Sequence, residues 1–421
     1  MHAPTPSTGE RTHFAVVGDS QDPAQATAPR EPAESITLIG IGTDGFEGLS
    51  FKAQQALERA AVVIGSWRQL NLVPDEISAE RRPWPGNTNY PDLDTLFKEF
   101  IGRHVAVLAS GDPLFYGVGS AMVRVLGTDK LTVLPAPSSA SLACARLGWT
   151  VHRTKVLSLG HETIESLIPV IESGAQFLVL GKDEFSAEQV AGVLDDLGLG
   201  ETPLIVLNDL GSSDEEITHG TASHPPAAVS ALNVIAVTAR SPLPKARLDG
   251  QELNEDLRAL TVSALKPLPG QMLWTFGDTG AVLACEWLRA AGKNAHAITF
   301  TSMREPSLRN AAKAGVANLM VKTTLTPKTL KDLRYVQGPE SASPHAIFMN
   351  QGLNLDLVPE TAWMMLRPGG MFIAQADNPE SLAILQNLYR KHGGTITHIQ
   401  IDATDVYQWR ATKPNSPEAV N

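Results

Sequence analysis

Four short stretches of this 421-residue chain carry residues whose types and spacing suit a ligand site. The first is ASGDPLFYG, Ala109 to Gly117, which follows the apolar run Val105 to Leu108 and precedes a helical pattern through Val118, Met122, Val123 and Leu126. Gly111 lets a ligand approach the backbone, Pro113 has no N–H to give a strand ladder, and Asp112 lies between them. Open α/β sheets bind ligands at such strand ends. The same residues also make a plain capped turn, so both readings stand. The second stretch, GIGTDG, runs from Gly40 to Gly45 after the apolar run Ile36 to Ile39. Gly40 and Gly42 there either bare backbone amides to a ligand or form a tight strand-to-helix connection. The third, PAPSSASLACARLG, puts Ser138 and Ser139 in the first turn of a helix, where hydroxyls cap the helix or face a ligand. The fourth places Gly277, Asp278, Thr279 and Gly280 directly after the apolar run Met272 to Phe276.

Those turns need a sheet to hold them. Further apolar runs at Val62 to Ile64, Leu131 to Leu134, Val156 to Leu159, Phe177 to Leu180, Leu204 to Leu207 and Leu232 to Val237 alternate with helical patterns. That alternation predicts a largely parallel sheet over residues 35–245. Ser241 to Gly250, with Pro242 and Pro244 among small residues, reads as a linker. A second alternation follows over 246–412, with strands at Ala295 to Thr299, Ala317 to Val321 and Ala346 to Met349. LRPGGMFIAQA, Leu366 to Ala376, gives a turn and another strand, and a hairpin of Thr395 to Ile401 with Asp405 to Trp409 ends the series. The segments 1–34 and 413–421 read as tails, the first too poor in sustained apolar periodicity to fold. Its FAVVG run, Phe14 to Gly18, is the one candidate strand in it.

Composition narrows the function classes. Hydrophobic residues at 43% and charged ones at 19% describe a globular chain with ample core, and the length predicts two domains. No apolar run approaches the ~18 residues that a membrane span needs. Two cysteines, Cys144 and Cys285, one in each half, favour a reducing, cytoplasmic setting over a disulfide framework or a zinc site. A net charge of −11 argues against nonspecific nucleic-acid binding, while a polyanionic small substrate would need a locally basic pocket. His161, in SLGHE, is a lone loop histidine, either solvated or in contact with a substrate.

ASGDPLFYG, the P-x-x-S-S followed by ARLG, and the glycine turn at Gly40 resemble the tetrapyrrole methylases, the S-adenosylmethionine enzymes of corrinoid and sirohaem synthesis. With their neighbours, they are most similar to the branch acting on precorrin-6Y. In the second half LPGQMLW, CEWLRA, the RNAA of Arg309 to Ala312 and RPGG resemble, in order, the decarboxylating partner domain of that branch, a seven-stranded Rossmann-like methyltransferase. The resemblance implies an α/β tetrapyrrole-methylase domain followed by that Rossmann-like domain. It implies S-adenosylmethionine as cofactor, held by Gly40, Gly42, Gly111, Asp112, Pro113, Phe115, Ser138, Ser139, Gly277 and Gly280, and a tetrapyrrole met by Tyr116 and His161. Methyl transfer to C5 and C15 of precorrin-6Y with decarboxylation of the ring C acetate follows, in cobalamin biosynthesis and in a homodimer. Two alternatives are another tetrapyrrole C-methyltransferase with only the first domain active, and a non-catalytic tetrapyrrole-binding relative. The chain departs from pattern at Thr43, Asp44 and Gly45, at His161, which is displaced by one residue, and at Asn208. In the second domain LWTFGDTGA replaces L-W-D-V-G-A-G-S-G, and Thr299 replaces an acidic residue.

Overall fold

A computed structural model describes residues 36–84, 93–238, 240, 242–243, 245–250, 254–333 and 343–415. The tail 1–34, with its FAVVG run, and residues 416–421 lie outside these described residues. Five parallel strands form the first sheet: β1 (Ile36–Ile41), β2 (Val62–Gly65), β3 (Glu80–Pro83), β4 (Val105–Ser110) and β5 (Leu131–Leu134), in the order β3-β2-β4-β1-β5. Leu38, Ile39, Val62, Val63, Val107 and Leu108 are fully buried, as parallel strands covered on both faces require. At the centre Gly40 faces Ala109 in register. Beyond it the Gly111 N–H donates to Ile41 O at 3.0 Å, and the Gly111 carbonyl accepts from Ala136 N at 3.4 Å. The ends of β4 and β5 thus join across β1. A side chain at Gly40 would put its first carbon 2.0 Å from Gly111 O and 2.6 Å from Ala136 N.

The single parallel sheet expected over 35–245 is two sheets instead. A second one holds β6 (Lys155–Ser158), β7 (Phe177–Leu180), β8 (Pro203–Asn208), β9 (Glu216–Thr221) and β10 (Asn233–Val237), in the order β6-β7-β10-β8-β9. Only β6 and β7 pair in parallel, because β8 and β9 form a hairpin and β10 returns between β7 and β8. The helix Ser139–Leu147 joins the two lobes. Its Ala140, Ala143 and Cys144 pack with Leu178, Leu207, Val234 and Ala236.

The third sheet matches the expected seven strands: β11 (Met272–Phe276), β12 (His296–Phe300), β13 (Leu319–Lys322), β14 (Ala346–Met349), β15 (Met371–Ala376), β16 (Thr395–Ile401) and β17 (Thr404–Thr412). Their order is β13-β12-β11-β14-β15-β17-β16, with β17 antiparallel to both its neighbours. Fully buried Trp274, Trp287, Trp409, Phe276, Phe348 and Phe372 fill the two sides. The helix Val282–Ala291 starts on a buried charge. Leu283 N and Ala284 N donate to the Asp278 carboxylate at 3.0 and 2.8 Å. A carboxylate satisfies free amides at a helix start and suits its positive dipole end. Complete burial nonetheless dominates and pushes the Asp278 pKa up to about 6.

The segment read as a linker is anchored. Ala246 N donates to the Glu172 carboxylate at 3.0 Å, and Asp249 N donates to Asn310 Oδ1 at 2.8 Å. Glu172 also pairs with Arg289 of the other domain, both largely buried. Gly315 closes the same junction, since a side chain there would stand 2.5 Å from Glu165 O. At the far end Lys413, read as tail, donates to the carbonyls of Trp363, Met364 and Leu366 and so caps the helix Val358–Met365. No helix among the described residues is long and apolar enough to cross a membrane.

Two expected outcomes follow. Gly40→Ala forces backbone apart at the strand crossing and should destabilise the fold by about 1–3 kcal/mol; equal thermal melts of variant and wild type would contradict this. For Asp278 the folded pKa, about 6, lies above the ordinary 3.8, so the unfolded chain gives up its proton first. Stability contributed here falls as pH rises from 3.8 to about 6, by on the order of 3 kcal/mol at ~1.36 kcal/mol per pKa unit. Melts of Asp278→Asn beside wild type should therefore move in the variant's favour across that window, and a constant offset would refute it.

Candidate functional site

At the carboxyl ends of β1 and β4 a cavity of about 160 Å³ opens between the two lobes of the first domain. Gly42, Thr43, Ser110, Gly111 and Ser139 line it from one lobe, and Gly181, Leu210, Leu232 and Asn233 from the other. Gly111 sits at φ +58, a left-handed conformation natural to glycine. Thr43 Oγ1 donates to Leu210 O at 2.7 Å and ties the lobes at the cavity edge. Asn233 is 4% exposed; its Nδ2 donates to Asp183 O and Ser230 O, while its Oδ1 is buried without a protein partner. A buried acceptor left unpaired costs roughly 1–3 kcal/mol. A side chain at Gly181 would fall 2.0 Å from it.

One cation borders this cavity. Arg68 Nη2 donates to Ser110 Oγ at 2.8 Å, and burial holds its guanidinium below the usual value, with Asp209 opposing that shift. Arg68, Gly181 and Asn233 escape sequence reasoning because they come from three elements. Only Gly181, following an apolar strand, left a local signal.

The expected site residues divide. Gly42, Gly111 and Ser139 meet at this cavity. Gly40 does not; backbone fills the space its missing side chain leaves. Asp112, Phe115, Tyr116 and Ser138 face a second, more open groove of about 550 Å³ beyond the helix Ser139–Leu147. Asp112 Oδ1 accepts from Leu114 N at 2.9 Å and Ser138 Oγ from Ser141 N at 3.1 Å, so both also perform the capping roles open to them. Pro113 is buried, and its carbonyl accepts from Gly119 N at 3.0 Å.

Tyr116 gathers groups from both domains. It stands at φ +53, with its ring 5.5 Å from the exposed His161. Its hydroxyl is 3.0 Å from Val156 O and from Glu162 Oε1, and accepts from Lys293 Nζ at 3.0 Å. Burial, more than any other cause, raises the Tyr116 pKa. Burial opposes charge on Lys293, but Tyr116 and Glu162 outweigh it and lift its pKa, so this ammonium stays protonated on the groove's rim.

In the second domain Gly277 and Gly280 both stand in left-handed conformations, φ +75 and +64, in the turn after β11. Neither borders the two spaces above. Side chains of residues 350 and 351 lie where a Gly277 side chain would, and Asp249 O covers Gly280. Among the described residues no group of three His, Cys, Asp or Glu side chains could hold a metal ion.

The family Tetrapyrrole (Corrin/Porphyrin) Methylases matches residues 35–226, and the Precorrin methyltransferase domain family matches residues 246–418. A Mycobacterium tuberculosis protein named precorrin-6Y C(5,15)-methyltransferase (decarboxylating) is 35% identical over 378 residues, which cover 87% of this chain and 93% of that protein. A Sinorhizobium protein of the same name is 33% identical over 411 residues, covering 90% and 96%. A cobalt-precorrin-7 C(5)-methyltransferase of Salmonella typhimurium is 31% identical over 116 residues, 27% of this chain and 55% of that protein. With two thirds of their length far exceeded at more than 30% identity, this chain belongs to the family of decarboxylating precorrin-6Y C(5,15)-methyltransferases.

Proposed function

We propose that the chain methylates precorrin-6Y at C5 and C15, with S-adenosylmethionine as donor and loss of carbon dioxide from the ring C acetate, in cobalamin biosynthesis. The observation that carries the reading is the cavity at the carboxyl ends of β1 and β4, lined by Gly42, Gly111 and Ser139 from one lobe and by Gly181 and Asn233 from the other. At about 160 Å³ the cavity falls below the ~300 Å³ at which small-molecule sites begin, so it would hold part of the donor, with the rest reaching through the open side.

Gly42, Gly111, Ser139, Gly181 and Asn233 would hold the donor. When bound, it supplies a methyl on a sulfonium: an electron-rich ring carbon forms the new bond with its own pair, and the carbon–sulfur pair stays on sulfur. The chain's own task is alignment and exclusion of water. Leu210 and Leu232 shield the cavity, and the Thr43 bond to Leu210 O holds that wall in place. Arg68 and Lys293 supply the local positive charge that a polycarboxylate substrate needs on a chain of net charge −11. Tyr116 and His161 line the approach on the groove side, where we place the tetrapyrrole. The same reading sets the enzyme in the cytoplasm as a homodimer, with Cys144 and Cys285 free and buried.

Turnover of precorrin-6Y with methyl-labelled donor, followed by mass analysis, should show labelled methyl groups on the tetrapyrrole and release of carbon dioxide. An unlabelled substrate would overturn the reading. Asn233→Ala removes a lining side chain and its bonds to Asp183 O and Ser230 O, and the loosened cavity wall should weaken donor binding roughly tenfold. Unchanged affinity in titration calorimetry would remove Asn233 from the site.

A further inference from the structure

The second domain's counterpart of the donor site is filled by the chain itself. Donor sites in such sheets use a bare glycine turn, the amides of the following helix, and an acidic residue ending the second strand for the ribose. Each of these is consumed internally. The helix amides of Leu283 and Ala284 are taken by the Asp278 carboxylate, and that residue is 2% exposed. Over Gly277 lie Gln351 Cβ and Asn350 Oδ1, 2.2 and 2.5 Å from where a side-chain carbon would stand, so two side chains press on the turn. On the outer side of the turn Asn310, fully buried, donates through Nδ2 to both Gly280 O and Asp249 O, at 2.8 and 2.7 Å. Its Oδ1 takes the Asp249 N–H, which staples the interdomain segment onto the turn. At the ribose position Thr299 is fully buried, and the Thr275 hydroxyl lies 2.9 Å from its own.

A donor entering here would have to displace a carboxylate, two side chains and the staple. It would also place its own carboxylate against that of Asp278. We propose that the second domain binds no S-adenosylmethionine, so that the chain carries one donor site, in the first domain, from which every methyl group it transfers must come. This rests on the first-domain reading above and sharpens it: a second transfer requires the spent donor to be exchanged at the same cavity.

Equilibrium dialysis of the full chain with labelled S-adenosylmethionine should give one donor per chain. The full chain carrying Gly111→Val should bind none, since a branched side chain on that left-handed residue would press on Pro137 O and Ser138 Cα, 3.0 and 3.1 Å from its first carbon, and so shift the cavity wall. Two donors per wild-type chain, or one retained by the variant, would overturn the inference. Should the variant not fold, photochemical cross-linking of the labelled donor to wild type decides the matter. Label confined to peptides within residues 36–238 supports the single site, and label on peptides spanning 272–300 defeats it. No binding at all by folded wild type would instead overturn the first-domain reading, and the count of one with it.

Discussion

Three strand ends converge over one residue that has no side chain, and the cavity beside them exists because they do. The Gly111 carbonyl reaches Ala136 N across the end of β1, through the space above Gly40. This crossing turns Gly111 left-handed and aims the following turn away from the sheet. The two loops then fall on opposite sides of the helix Ser139–Leu147, with the small cavity on one side and the wider groove on the other. Close-packed backbone cannot yield by a methyl group without strain. A single glycine therefore sets the position of everything that a ligand in this domain would touch.

The second domain begins from the same device and ends elsewhere. It too has a strand, a left-handed glycine turn and a helix. Its turn is closed by the chain's own groups, chief among them a buried carboxylate where a ligand's would otherwise go. Ionised, that side chain gains two backbone donors and loses its water, and its raised pKa shows that desolvation outweighs the gain. The protein thus holds a costly charge at a helix start, in a sheet whose strand order and core are intact.

What could be read in the sequence was whatever is decided locally. Long apolar runs such as Val105 to Leu108 and Met272 to Phe276 are strands buried on both faces, and their order predicts the third sheet strand for strand. The edge strands β3 and β9 were not legible. Glu80–Pro83 is charged and ends in proline, as an edge strand protected from mispairing would be, and Glu216–Thr221 is only partly buried. The division of the first domain into two sheets was hidden too, since alternation of strand and helix does not reveal strand direction. Glycines at 40 and 111 look alike in sequence, but one space is filled by backbone and the other faces a cavity. Asn233 and Arg68 owe their places to packing between lobes, and Lys293 reaches Tyr116 from 177 residues away. No local pattern encodes such meetings.

The Glu172–Arg289 pair bears on motion. Parting the domains would exchange the pair for water around both charges, so the bridge alone holds the two halves together only weakly. What keeps the halves in place is the junction around it, where Glu172 and Asn310 each accept an amide of the segment between the domains.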